Sequence, residues 1–118
     1  MARNLALGAM GEELAASALT AAGMRILDRN WRCRHGELDL IAVDGDTIVF
    51  VEVKTRSGLG FGSPAEAVTY AKQRRIRMLA QRWLADSDRH WPHVRFDVVA
   101  VLVDRRREPA VTHLPAVF

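Results

Sequence analysis

The chain is predicted to fold as one α/β domain, a central mixed sheet flanked by helices in the order α-β-β-β-α-β-(β). Three observations lead there. Two long segments repeat apolar residues at helical spacing, two apolar strands meet at Asp44-Gly45-Asp46, and residues 94–103 form a β-branched run. With 118 residues, numbered 1–118, there is material for a single core and too little for two.

Residues 4–22 read as the first helix. Leu7, Leu14, Ala18 and Ala21 recur at helical spacing, and Gly23 supplies the stop. Gly8, Gly11 and Ala15 give it a second face of small residues, suited to close packing on a sheet. Residues 24–31 are a strand candidate. Residues 37–43 and 47–55 follow as a hairpin, with Asp44-Gly45-Asp46 as its turn signal. The loop length decides which residues meet. A two-residue loop sets Asp39 on the face that Glu52 and Lys54 share, whereas a three-residue loop without a bulge sets them on opposite faces. The shared face is expected.

Residues 56–62 read as a glycine-rich loop that, with Arg56, could lie over a DNA backbone. Ser63-Pro64-Ala65-Glu66 is a capping box with proline at the first helical position. It opens a helix running to about residue 86 and bent near Thr69, with Val68, Ile76, Leu79 and Trp83 as its apolar stripe and Lys72 inside that stripe. Residues 94–103 are the next strand. Residues 110–117 add a short edge strand that Pro115 limits.

The composition is that of an ordinary globular protein, and no apolar run approaches the ~18–20 residues of a membrane span. Met1 to Asn4 open a helix-like pattern rather than the apolar block of a signal peptide. One cysteine, Cys33, excludes an internal disulfide and fits a reducing, cytoplasmic setting. A net charge of +3 admits a polyanionic partner without demanding one.

Charge in apolar surroundings carries the chemistry. Ile48-Val49-Phe50-Val51-Glu52-Val53-Lys54 reads as a buried strand, yet Glu52 and Lys54 share one of its faces. Asp39 sits in an equally apolar run. Buried charge is costly unless it is paired or binds metal. Carboxylates at Asp39 and Glu52, with the Val53 carbonyl, suit one or two Mg²⁺ or Mn²⁺ ions. Lys54 is one of only two lysines beside fifteen arginines, and it can release a proton where arginine cannot. The plainer reading of Glu52-Val53-Lys54 is a same-face charge pair at an exposed sheet edge.

Other charges are read against plainer roles. Lys72 either snorkels or reaches a phosphate or Glu52. Glu37 is either a strand-end charge or a partner behind Asp39. Arg74, Arg75, Arg77 and Arg82 form a solvated face or a phosphate track, with Arg75 the one assigned to substrate. Asp97 is expected to pair with a basic neighbour and support the sheet. Neither His90 with His93 nor Cys33 with His35 makes a convincing metal pair.

Gly8-x-x-Gly11-Glu12, Asn30, Gly36-Glu37-Leu38-Asp39-Leu40-Ile41-Ala42 and Val49-Phe50-Val51-Glu52-Val53-Lys54-x-Arg56 occur in that order. Phe61-Gly62, Lys72 and Arg95-Phe96-Asp97-Val98-Val99 continue the series. Together they resemble the bacterial YraN-like family, itself similar to the PD-(D/E)XK nucleases and close in pattern to archaeal Holliday junction resolvases. The resemblance implies a restriction-endonuclease-like fold and metal-dependent cleavage of DNA, branched or otherwise structured. It assigns Asp39, Glu52 and Lys54 to the catalytic motif and Glu12 to the additional glutamate, as metal or water ligand. It also implies a homodimer, since resolvase-like relatives make two nicks. The alternatives from other classes are a non-catalytic nucleic-acid-binding module and a protein-binding adaptor.

Overall fold

The computed structural model describes residues 2–57, 68–104 and 106–118, with side chains from residue 6 onward. The capping box at Ser63, most of the glycine-rich loop, and Arg105 lie outside the described residues. The observed order is α1 (Ala2–Ala21), β1 (Arg25–Cys33), β2 (Gly36–Asp44), β3 (Thr47–Ser57), α2 (Tyr70–Ala85), β4 (His93–Val103) and β5 (Ala110–Leu114). The strands form one sheet in sequence order. Every neighbouring pair is antiparallel except β3 with β4, which run parallel because α2 carries the chain back across the sheet. The mixed α/β architecture is therefore the one expected.

Asp44 pairs with Thr47, so Gly45 and Asp46 form a two-residue loop. Gly45 has φ 62° and Asp46 no positive φ, the combination a type II′ hairpin uses to match strand twist. β2, β3 and β4 are then covered on both faces, which explains their near-continuous apolar runs. On one face Ile41, Val43, Ile48, Phe50, Phe96 and Val98 pack with Ile76, Leu79 and Ala80 of α2. On the other, Leu40, Ala42, Val49, Val51, Val99 and Val101 pack with Ala15, Ala16 and Leu19 of α1.

One helix expectation is met and one needs correction. In α1 the small-residue face packs on the sheet, as expected. Gly11, Ala15, Ala16 and Leu19 are buried, whereas Leu7, Leu14 and Ala18 are half-buried and Ala21 is exposed. The reason is close approach: a Cβ on Gly11 would overlap the Thr55 side chain of β3. In α2, Thr69 does not bend a continuing helix but starts one. Its backbone is extended, and its hydroxyl accepts from the Lys72 N–H at 3.2 Å.

Asp97, fully buried in β4, anchors the carboxyl-terminal segment. It accepts from Arg95 Nε at 2.9 Å, Arg95 Nη2 at 3.0 Å and the Ala116 N–H at 3.0 Å, and lies 2.6 Å from His113 Nε2 of β5. Arg95 also donates to Asp44 at the hairpin end of β2. Burial alone would raise the Asp97 carboxyl, but Arg95, the Ala116 N–H and His113 hold it below its ordinary value. The expected pairing with a basic neighbour is met by Arg95.

Asp97→Ala should therefore cost about 3 kcal/mol or more in urea unfolding at pH 7, because it removes the shared partner of His113 and the Ala116 N–H and leaves Arg95 with Asp44. Because the folded carboxyl titrates low, its contribution is present above the unfolded value of 3.8 and is lost as pH falls through the depressed one. A loss below about 1 kcal/mol would show the cluster to be dispensable.

Candidate metal centre

Asp39 stands where β2 parts from β3. Their ladder runs from Asp44–Thr47 to Leu40–Val51, and the next pair would set Asp39 opposite Glu52. Instead the Val53 N–H donates to Asp39 Oδ2 at 2.8 Å. One residue earlier, Leu38 packs in the same core as Ile41, although strict alternation assigns them opposite faces. The face alternation of β2 thus slips at Asp39, and the carboxylate takes over the contact that a main-chain bond would have made.

Glu52 is 8% exposed in the interior of β3. Both lysines of the chain reach its Oε1, Lys72 Nζ at 2.6 Å and Lys54 Nζ at 3.9 Å. Lys54 arrives from two residues along the same strand. Lys72 arrives from the first turn of α2, which the Thr69 cap aims at the sheet. A buried carboxylate between two ammonium groups is a compensated charge, and the tighter partner comes from the helix.

Burial, then the Glu52 carboxylate, push Asp39 up to about 7, against the opposing Val53 N–H bond. The charge of Glu12 pushes the same way. Burial and then neighbouring Lys72 lower Lys54. Burial would also lower Lys72, but its bond to Glu52, its contact with Lys54 and the charges of Glu52 and Asp39 together leave it raised. The two lysines therefore diverge, Lys54 holding its proton less tightly than an ordinary lysine and Lys72 more tightly.

Two clefts meet at this point. One, about 280 Å³, lies on the α2 side and is lined by Gly36, Glu37, Asp39, Glu52, Lys72 and Arg75 over Ile76 and Leu79. The other, about 320 Å³, lies on the α1 side and is lined by Leu7, Gly8, Glu12, Val53, Lys54 and Thr55. Asp39, Glu52, Lys72 and Arg75 are thus brought together in the first, while Lys54, on Glu52 at 3.9 Å, and Val53 line the second. Glu12 shares the second cleft with Lys54. Among the described residues, no group of three or more acidic, histidine or cysteine side chains stands ready to hold a metal ion. Arg56 lies half-buried on β3, two residues beyond Lys54. Glu37 is tied to Arg32 at 2.9 Å rather than standing behind Asp39.

Gly36 was not legible as a site residue. A Cβ there would sit 3.3 Å from Leu79 Cδ1, so the bare backbone keeps the α2-side cleft open. Asp39, Glu52 and the Val53 carbonyl are oxygen donors of the kind a hard divalent cation takes, and the charge of Glu52 adds to burial in raising Asp39.

Residues 11–101 match the family model described as "Uncharacterised protein family UPF0102". A UPF0102 protein of Rhodococcus jostii is 65% identical over 118 residues, covering all of both chains. A second, from Nocardia farcinica, is 64% identical over 113 residues, covering 96% of this chain and 89% of its own. A third, from Mycobacterium avium, is 56% identical over 116 residues, covering 97% and 91%.

The Asp39 carboxyl makes stability depend on pH. Its folded value lies above the unfolded 3.8, so its stabilising contribution is complete below that value and is lost as pH rises through about 7. Metal-free protein should lose thermal stability between about pH 4 and 7 on this account. Asp39→Asn should flatten that slope and leave the variant more stable than the parent at pH 8. Parallel pH–Tm curves for the two proteins would refute the assignment.

Proposed function

The chain belongs to the uncharacterised protein family UPF0102, and from the facing carboxylates of its site we propose that it hydrolyses phosphodiester bonds in DNA with Mg²⁺ or Mn²⁺. The observation that carries this reading is the juxtaposition of Asp39 and Glu52, with both lysines of the chain on Glu52. Membership of the PD-(D/E)XK nuclease superfamily is part of the same proposal, as is a homodimer able to cut two strands.

Asp39, Glu52 and the Val53 carbonyl would hold the ion, with Glu12 beside it in the α1-side cleft. Such an ion, when bound, supplies charge relief at the phosphate and a more acidic water. Lys54, lowered by burial, can take a proton from the attacking water and return it to the leaving oxygen. Lys72 and Arg75 line the cleft in which the substrate's phosphates would lie, and Arg56 extends the basic path along β3. Branched or structured DNA is the favoured substrate within this reading.

A non-catalytic DNA-binding module accounts less well for the site. A binding module needs no carboxylates at its phosphate site, and the burial that raises Asp39 costs stability without serving DNA binding. A protein-binding adaptor leaves them equally unexplained.

The test is cleavage of linear, flapped and four-way DNA with Mg²⁺ or Mn²⁺. The parent should cut at least one substrate. Asp39→Asn and Lys54→Ala should each be slower by about a hundredfold or more. No cleavage by the parent, or equal cleavage by the variants, rejects the nuclease. Steeply salt-dependent binding without cleavage would then favour the binding module.

A further inference from the structure

We infer that Lys72 holds on Glu52 the charge position that a divalent cation takes in the loaded site, and that its release turns the α2-side cleft into a phosphate subsite. This rests on the metal-dependent reading above.

Glu52 is buried, and a buried carboxylate needs a nearby positive charge. Lys72 supplies it at 2.6 Å, whereas Lys54 stays at 3.9 Å from the same oxygen. A divalent cation on Glu52 meets both ammonium groups, and at such distances like charges oppose one another strongly. The two lysines are not equally able to leave. Lys54 sits on β3, whose backbone at that point is held in the ladder with β4. Lys72 rides on the first turn of α2, its side chain 28% exposed, on a flexible four-carbon stem.

The cleft determines where Lys72 goes. Its wall includes Arg75, one helical turn further along α2 and on the same side. An ammonium released from Glu52 therefore enters a space already lined by a guanidinium, and the pair can grip one phosphate of the strand under attack. Glu37, the remaining anion in that wall, is neutralised by Arg32 at 2.9 Å. Cation binding at Glu52 and phosphate binding in the cleft thus become linked, each strengthening the other by the same factor. In the metal-free protein Lys72 keeps Glu52 compensated and the subsite unformed.

Two titrations test this. Mn²⁺ affinity is measured by calorimetry for the parent, Lys72→Met and Lys72→Gln, the last keeping a hydrogen-bond donor without its charge. Both variants should bind Mn²⁺ about tenfold more tightly than the parent, because a competing charge has gone. Binding of a short single-stranded phosphorothioate oligonucleotide is then measured with and without Mn²⁺. Mn²⁺ should tighten it for the parent, and the variants should lose that gain. Equal or weaker Mn²⁺ binding by both folded variants overturns the inference while leaving the nuclease reading in place. Absence of Mn²⁺ binding by the parent overturns both.

Discussion

The two-residue loop at Gly45-Asp46 is the constraint on which the site depends. It fixes the register of β2 on β3, and through that register it sets Asp39 across from Glu52. β3 is the middle strand, covered by a helix on each face, so whatever lies opposite its buried end is held by two cores at once. One residue added to the loop would turn the apolar set of one strand outward, and the fold and the candidate centre would fail together.

Asp97 of β4 and Asp39 of β2 show contrasting solutions to one electrostatic problem. Asp97 is satisfied completely, by a two-pronged arginine, a histidine and a main-chain N–H, and its surroundings favour its charge. Asp39 receives one N–H and faces another carboxylate, so its surroundings oppose its charge. The first arrangement is what a structural acid looks like. The second leaves Asp39 more basic than an ordinary carboxyl, the kind of perturbation that accompanies a functional site more often than a scaffold.

Much of this was legible in the chain because it rests on local rules. Period-two alternation and a glycine turn gave the hairpin parity, and charges in apolar runs marked Asp39, Glu52 and Lys54. What escaped depends on contacts between distant elements. That the small face of α1 packs inward could be read from Gly8, Gly11 and Ala15, but the contact of Gly11 with Thr55, forty-four residues away in sequence, could not. The clamp of His113 on Asp97 needs β5 paired on β4. Lys72 could be placed in an apolar stripe, but choosing Glu52 as its partner required the Thr69 cap that aims the helix.

The contact between Gly11 and Thr55 also governs how mutations near the site would be interpreted. Glu12 is covalently next to Gly11, so the spacing of α1 from β3 at that point sets how deeply Glu12 enters its cleft. Any side chain at position 11 lifts the helix and carries the glutamate outward with it. A screen scored on activity alone would rank position 11 among the chemical residues, although it has no group that could react. It is a spacer, and its effect would be mechanical.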